Sequence, residues 1–148
     1  MLSSVRAEDL PDDACVVQAR LLKGSSRADT GNGKTLATGN FLSDLKEQLE
    51  PLPFTHYETL GHERQLVPLH EKAIFRLSGE RNEEHRLFVD MECIHQDGAR
   101  VQIDWHVGDN EALVSSEINL VNGKSWVVGT DADDDSSTIM SIKVECKQ

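Results

Sequence analysis

One predicted hairpin brings three carboxylates and an imidazole onto a single face. The runs HRLFVDMECIH and ARVQIDWHVG alternate apolar and polar side chains on either side of QDG. If Gly98 closes a three-residue loop in the left-handed conformation, Asp90 lies opposite Asp104, with Glu92 and His106 two residues along. One imidazole among carboxylates suits manganese, magnesium or calcium better than zinc, and a raised pKa on one aspartate would suit acid–base catalysis. The alternative is an exposed polar face with no ligand.

The same register predicts which side chains of this hairpin are buried. It sets Met91 opposite Ile103 and Val89 opposite Trp105, so the apolar partners share one face. A two-residue Asp-Gly turn would instead set Met91 against Asp104 and mix the faces. The hydrophobic pattern therefore favours the three-residue loop.

A second group of carboxylates lies in the stretch TDADDDSST. Asp131, Asp133 and Asp135 have the one-three-five spacing of a calcium-binding loop. The sixth position is Ser136 rather than glycine, and the twelfth is Ile142 rather than glutamate, so this is not an EF-hand. The loop either holds a hard cation such as calcium weakly or forms a solvated hairpin tip whose charge blunts edge pairing.

The stretch ADTGNGKT matches a relaxed phosphate-loop pattern, with Lys34 and Thr35 where phosphate and magnesium would be met. A phosphate loop leads directly into a helix whose N-terminal amides face the phosphate. Here LATGN intervenes, ending in an apparent helix N-cap at Asn40, and the rest of the chain lacks a βαβ frame. We therefore predict an ordinary loop and no bound nucleotide.

The cysteines and histidines show no catalytic or zinc-binding spacing. Cys15, Cys93 and Cys146 are far apart, which excludes zinc ribbons and CxxC redox motifs. All three lie in apolar runs, so buried thiols are the default expectation. In an exported protein Cys15 and Cys146 could pair and link the terminal strands, leaving Cys93 free. Since HExxH and GxSxG are absent as well, we assign no catalytic residue.

The elements that would position these residues are mostly strands. Residues 1–13 are polar and acidic and predict a flexible arm, followed by a single globular domain over 14–148. Asn40 caps FLSDLKEQLE, whose apolar residues recur at helical spacing until Pro51, so one helix is predicted near residues 40–50. Later runs alternate with period two between turn residues. We predict an α+β fold, mainly antiparallel β, with about seven to nine strands in a sandwich or curled sheet.

The charge of the chain limits its partners. The formal net charge is −11, with 26 acidic and 15 basic residues. Such a field repels nucleic acid and anionic membrane surfaces, and no apolar run approaches the roughly 20 residues that span a bilayer. We therefore expect a soluble domain with no nucleic acid partner and no membrane insertion. Cations, basic protein surfaces and neutral polymers such as glycans are the partners that this charge leaves open.

Two stretches carry a resemblance to known proteins. VVQARLLKGSS, FLSDLKEQL and LPFTHYETLG together resemble small uncharacterised domains of exported bacterial proteins. INLVNGKSWVVGT resembles the strand-turn-strand pattern of secretin-type envelope proteins, although the paired glycines after the strand are missing and the chain is too short for a membrane pore. The resemblance implies a cell-envelope location and an accessory role, and it transfers no catalytic residue.

The sequence therefore predicts a non-catalytic binding or assembly module that contacts a protein partner through a sheet face or edge. Its expected location is periplasmic or exported, or otherwise cytoplasmic. One alternative is a small metal-dependent enzyme using Asp90, Glu92, Asp104 and His106. Another is a calcium-assisted glycan-binding module using the loop at 131–135.

Overall fold

The computed structural model describes residues 11–25, 56–79, 83–109, 112–129 and 136–147. These residues form eight strands: β1 (Ala14–Ser25), β2 (His56–Pro68), β3 (Lys72–Ser78), β4 (Glu84–His95), β5 (Gly98–Val107), β6 (Ala112–Val121), β7 (Ser125–Gly129) and β8 (Ser136–Cys146). All neighbouring strands are antiparallel, in two four-stranded sheets. Sheet 1 has the order β2-β1-β8-β7, and sheet 2 has the order β3-β4-β5-β6.

This architecture corrects the predicted α+β class. The described residues are all-β and contain no helix. Residues 40–50, for which the sequence predicts a helix, lie outside the described ranges. In β3 and β5 buried side chains alternate with more exposed ones, which is the pattern of a sheet with one face on a core. The prediction of a β-rich chain is confirmed.

The inner faces of both sheets pack into one core. Its largest fully buried side chains include Trp105 and Leu87 from sheet 2 and Leu21 from sheet 1. Burying an aliphatic or aromatic side chain of this size contributes about 1.5–3 kcal/mol each. Apolar burial across the two facing sheets is therefore the main term that stabilises the sandwich.

Strand β1 is buried on both of its faces. Val17 and Leu21 point into the core, while Val16 and Leu22 on the opposite face are also buried. The strand lies between β2 and β8 within sheet 1. Burial on both faces explains why its sequence, ACVVQARLLKGS, places apolar residues on both faces rather than only at alternate positions.

The β4–β5 hairpin has a different register from the predicted one. A two-residue turn joins His95 to Gly98, and a bulge at Glu92 shifts the pairing. Leu87 therefore pairs with Trp105, not with Val107. The predicted register is wrong. Before the bulge the pairing is shifted by two residues, which keeps the side chains on their predicted faces. Beyond the bulge the shift is one residue, and Cys93 pairs with Arg100 instead of Val101. The inward-facing apolar residues of β4 before the bulge, Leu87, Val89 and Met91, are buried, as the sequence predicts.

A disulfide joins Cys15 in β1 to Cys146 in β8. The two residues pair directly across the sheet, with their Cα atoms 4.4 Å apart, and both side chains are buried. This is the pairing that the sequence suggests for an exported protein. Cys93, which lies just beyond the bulge, forms no disulfide and is half-buried rather than in the core.

The sandwich has two unlike sides. The edge strands β2 and β3 follow each other in the chain and lie together on one side. The other side is formed by β6 and β7, the remaining edge strands of the two sheets. We call the first the closed side and the second the open side.

Candidate functional site

The carboxylates predicted to face each other across the hairpin do not do so. Asp90 pairs with Gln102, and Asp104 pairs with Phe88. His106 packs edge-on against Phe88, with ring centroids 5.4 Å apart. Because the register differs by two residues, the two aspartates lie in different rows on the outer face of sheet 2.

Neither metal hypothesis gains support from the described residues. Within those ranges, no group of three or more His, Cys, Asp or Glu side chains is placed to hold a metal ion. Asp131, Asp133 and Asp135 lie outside the described ranges, as does the phosphate-loop pattern at 28–35. Both metal sites therefore remain predictions.

The outer face of sheet 2 does hold a close pair of carboxyl groups. Glu92, at the β4 bulge, reaches across β5 to hydrogen-bond with Glu117 in β6, and this raises the pKa of Glu92. Desolvation and the negative charges of Glu117 and Asp90 act in the same direction, while Arg100 opposes them. The Arg100 Nε atom lies 3.7 Å from Glu92 Oε1 and 3.9 Å from Glu117 Oε1. Two acids thus share one half-exposed arginine, which leaves an excess of negative charge beside β6.

A further acid lies in the neighbouring row. Asp104 pairs with Ser115 of β6, and the Ser115 hydroxyl donates a hydrogen bond of 2.5 Å to Asp104 Oδ1. The Gln102 side chain donates to the Ser115 hydroxyl in turn, at 3.3 Å. Glu92, Asp104 and Glu117 together make the sheet surface next to β6 acidic. We call these three residues the acidic cluster.

The closed side of the sandwich is covered by side chains of β2. Glu63 Oε2 accepts a hydrogen bond from the backbone N–H of Arg76 at 3.1 Å. Gln65 Nε2 donates to the backbone carbonyl of Ile74 at 2.6 Å and to Glu63 Oε1 at 2.6 Å. Arg76 and Ile74 lie on the edge strand β3, whose outward backbone groups would otherwise be open to another strand. Side-chain capping of this kind closes the edge to strand addition.

The open side has no comparable protection on β6. Among the described residues, β6 pairs with β5 alone, and no strand lies on its other edge. The strand is ten residues long, with Glu117 its only charged residue and no proline, lysine or glycine. Pairing with β5 is regular from Val114 to Val121, and the bulge is confined to Leu113. Leu113 and Val121 are 49% and 50% exposed. Long, regular, weakly charged edges are suited to pairing with another strand.

Apolar side chains also line the inside of the open side. Val114 of β6 and both Trp126 and Val128 of β7 point inward and pack against the core, yet they are only partly buried. Partly buried apolar groups at an unpaired edge can gain further burial when another strand is added. The open side therefore offers backbone groups and apolar surface together.

A buried histidine forms a separate polar group in the core. The Trp105 Nε1–H donates a hydrogen bond of 3.1 Å to His85 Nδ1, and His85 Nε2 lies 3.4 Å from Glu83 Oε1. His85 is 2% exposed. Burial lowers the pKa of His85, although Glu83 acts in the opposite direction. Because Nδ1 accepts this hydrogen bond, the ring is neutral and carries its proton on Nε2. We assign His85 a structural role in the core.

Sequence reasoning missed the contrast between the two sides. The signal that reveals the closed side is the polar pair Glu63 and Gln65, spaced by two in an edge strand, so that both point toward the other sheet. The signal for the open side is the composition of ALVSSEINLV, which lacks the residues that usually guard an edge. Both signals become informative only once the strand order is known.

Comparison with family models, curated proteins and solved structures gives no match to this chain. Within the described ranges no helix is long and apolar enough to cross a membrane. The function therefore rests on the geometry of the sandwich.

Proposed function

We propose that this protein is a non-catalytic binding or assembly module of the cell envelope, and that it contacts a protein partner along the open side of its sandwich. The observation that carries the proposal is the difference between the two edge strands of sheet 2. The β3 edge is capped by Glu63 and Gln65, whereas β6 has no such cap among the described residues. Strand addition at an open edge is a common mode of protein recognition.

The exposed apolar residues also favour the open side as the binding side. Leu113 and Val121 both lie on β6, and the partly buried Trp126 lies next to it on β7. A partner lying there would remove apolar surface of both sheets from water. On the closed side the corresponding backbone groups already have hydrogen-bond partners, so a second strand would have to displace them.

The disulfide supports a location outside the cytoplasm. Cys15 and Cys146 are both buried in the core and joined to each other. Disulfides form and persist in oxidising compartments and are rare in the cytosol. A periplasmic or exported module fits this covalent link, and the acidic net charge of −11 fits a protein partner better than a nucleic acid.

The two alternatives gain no comparable support. Asp90 and Asp104 are in different rows of sheet 2, and the described residues offer no three-ligand metal group for an enzyme. The glycan-binding alternative depends on the loop at 131–135, which is outside the described ranges. No observation favours either as a second function.

Position-specific photocrosslinking in cells tests the proposal. A benzophenone amino acid replaces Val121 on the open edge in one variant and Ile74 on the closed edge in another, since Ile74 has a similar exposure of 39%. We expect a discrete protein adduct from position 121 and none from position 74. Equal adducts from both positions, or none from position 121, would contradict the proposed binding side.

A further inference from the structure

The outward face of β6 presents a defined order of side chains. From one end to the other, the regular part carries Ser115, Glu117, Asn119 and Val121 on the outer face of sheet 2. A strand added beside β6 would place its own alternate residues opposite these four. The chemistry of the row therefore determines which partner sequence fits.

We propose that β6 takes up an extended segment of a partner protein as a fifth, antiparallel strand of sheet 2, and that this segment carries a basic residue opposite Glu117 and an apolar residue opposite Val121. The inference rests on the proposed function and names the partner chemistry of the same side. In antiparallel order, the apolar residue comes four positions before the basic one in the partner sequence.

The basic residue follows from the charges beside β6. Glu117 shares a half-exposed Arg100 with Glu92, and Asp104 lies in the adjacent row. A lysine or arginine on the added strand would face Glu117 directly across the new pair. It would add a positive charge to the acidic cluster, in which Glu92 and Glu117 share Arg100, and the net charge of −11 would draw a basic segment to this surface.

The apolar requirement follows from the two faces of the added strand. On the outer face, half-exposed Val121 would gain a cross-strand neighbour. On the inner face, the alternate residues of the partner would point toward Trp126 and Val128 of β7, which are only partly buried. A suitable segment therefore alternates apolar inner residues with an outer row of apolar, polar and basic residues.

A second copy of this chain fits the edge less well. Antiparallel pairing of two β6 strands along their regular segment sets the two Glu117 carboxylates opposite or diagonal to each other. Each copy also brings a net charge of −11. Like charges at this spacing destabilise the pair, so a basic partner is favoured over self-association.

A synthetic probe tests the inference. The peptide acetyl-Val-Ile-Thr-Val-Lys-Val-Thr-amide places its first residue opposite Val121 and its fifth opposite Glu117 when it pairs antiparallel. Binding to the full chain is followed by amide chemical shifts and by hydrogen exchange, because strand addition protects backbone amides on the β6 edge. We expect the lysine peptide to bind about fivefold more tightly than the same peptide with glutamate at its fifth position.

Charge reversal provides the matched variant. In Glu117→Lys the preference inverts, so that the glutamate peptide binds more tightly than the lysine peptide. Ile74→Lys, on the capped β3 edge, leaves the original preference and the protection of β6 unchanged. A lysine peptide with N-methyl groups on alternate amides facing β6 loses binding, since its side chains are kept but its edge hydrogen bonds are removed.

The outcomes separate this inference from the proposed function. If position 121 still crosslinks to a protein but no peptide protects β6, or Glu117→Lys leaves the peptide preference unchanged, the strand-addition inference fails while the binding side stands. If sedimentation shows a dimer of the isolated chain with β6 protected, the occupant is a second copy and the inference is overturned. Loss of the crosslink itself overturns the proposed function.

Discussion

His85 accepts a hydrogen bond from Trp105 that exists only while the ring is neutral. Protonation would put an N–H on Nδ1, facing the Trp105 N–H, and two donors would meet in the core. Burial already lowers the pKa of His85 from its ordinary value. The charge state of His85 is therefore coupled to its packing in the core.

Replacing this histidine should flatten the pH dependence of stability. Because the pKa of His85 is lower in the folded than in the unfolded state, its contribution is complete above about pH 6.5 and is lost as the pH falls toward the folded pKa. His85→Gln keeps an acceptor for Trp105 and does not titrate. We expect the free energy of unfolding of the parent protein to fall more steeply below pH 6.5 than that of the variant. Parallel pH curves from denaturant titrations would contradict this role.

Glu92 has a raised pKa, so its effect on stability is lost as the pH rises rather than as it falls. Its hydrogen bond to Glu117 raises its pKa, so its stabilising effect is present below the ordinary glutamate value and is lost as the pH rises through the folded pKa. At pH 7 the two carboxylates repel each other. We expect Glu92→Gln to raise the melting temperature at pH 7, by calorimetry, and to give no gain at pH 3. Arg100→Gln is the control: it should lower the melting temperature at pH 7, and a rise there would argue against this account.

At the scale of the strands, capping of β3 makes one edge of sheet 2 unavailable. Glu63 and Gln65 each hydrogen-bond a backbone group of that strand. A hydrogen bond of this kind contributes about 0.5–1.5 kcal/mol net. Capping also hinders self-association, because an uncapped edge can pair with another chain.

Removing both caps should open the second edge. We expect Glu63→Ala combined with Gln65→Ala to lower stability by about 1–3 kcal/mol, to speed hydrogen exchange at the Arg76 amide, and to increase self-association in light scattering. Glu63→Gln keeps an acceptor oxygen and serves as the control. Unchanged exchange at Arg76 in the double variant would show that these side chains do not protect the edge.

The strand faces could be predicted from the sequence, but the register could not. Alternation identifies Leu87 and Trp105 as core residues whichever partner each has, because a shift of two residues preserves the faces. The predicted turn is wrong because it assigns Gly98 to the loop, whereas Gly98 pairs with His95 as the first residue of β5. It is not the left-handed residue of a three-residue loop; a Cβ there would overlap the carbonyl oxygen of Leu120 in β6. That constraint comes from a strand distant in sequence, so hairpin rules could not reveal it.

The candidate site could not be predicted either, because it depends on contacts between strands that are distant in sequence. Glu117 lies two strands away from Glu92 in sheet 2, and their contact depends on the bulge at Glu92. Whether β3 or β6 is an edge depends on strand order, which local patterns do not determine. The sequence prediction leaves the contact open between a sheet face and a sheet edge, and the difference between the two edges of sheet 2 is visible only in the fold.

At the scale of the whole molecule, one covalent bond encloses most of the chain. Cys15 and Cys146 are 131 residues apart in sequence. Closing a loop of this length reduces the entropy of the unfolded chain and is worth about 5 kcal/mol in the chain-entropy model. The bond also joins β1 to β8, so it reinforces the middle of sheet 1.

Breaking this bond should cost a large part of the total stability. We expect Cys15→Ala combined with Cys146→Ala to lower the free energy of unfolding by about 3–5 kcal/mol in guanidinium titrations. Reductant should destabilise the parent protein and have no further effect on the double variant. Cys93→Ala, at the half-buried free thiol, is the control and should change stability little. A double variant as stable as the oxidised parent would show that the bond does not stabilise the fold.

The disulfide also determines how the domain responds to tension. A pull applied to the chain before Cys15 and after Cys146 passes from one sulfur to the other and does not load the hydrogen bonds of either sheet. Under oxidising conditions the sandwich would transmit force between whatever is attached at its two ends without extending. Reduction would expose the enclosed length, roughly 450 Å of extended chain, to the same force. The domain would then act as a rigid mechanical link whose extensibility depends on redox state.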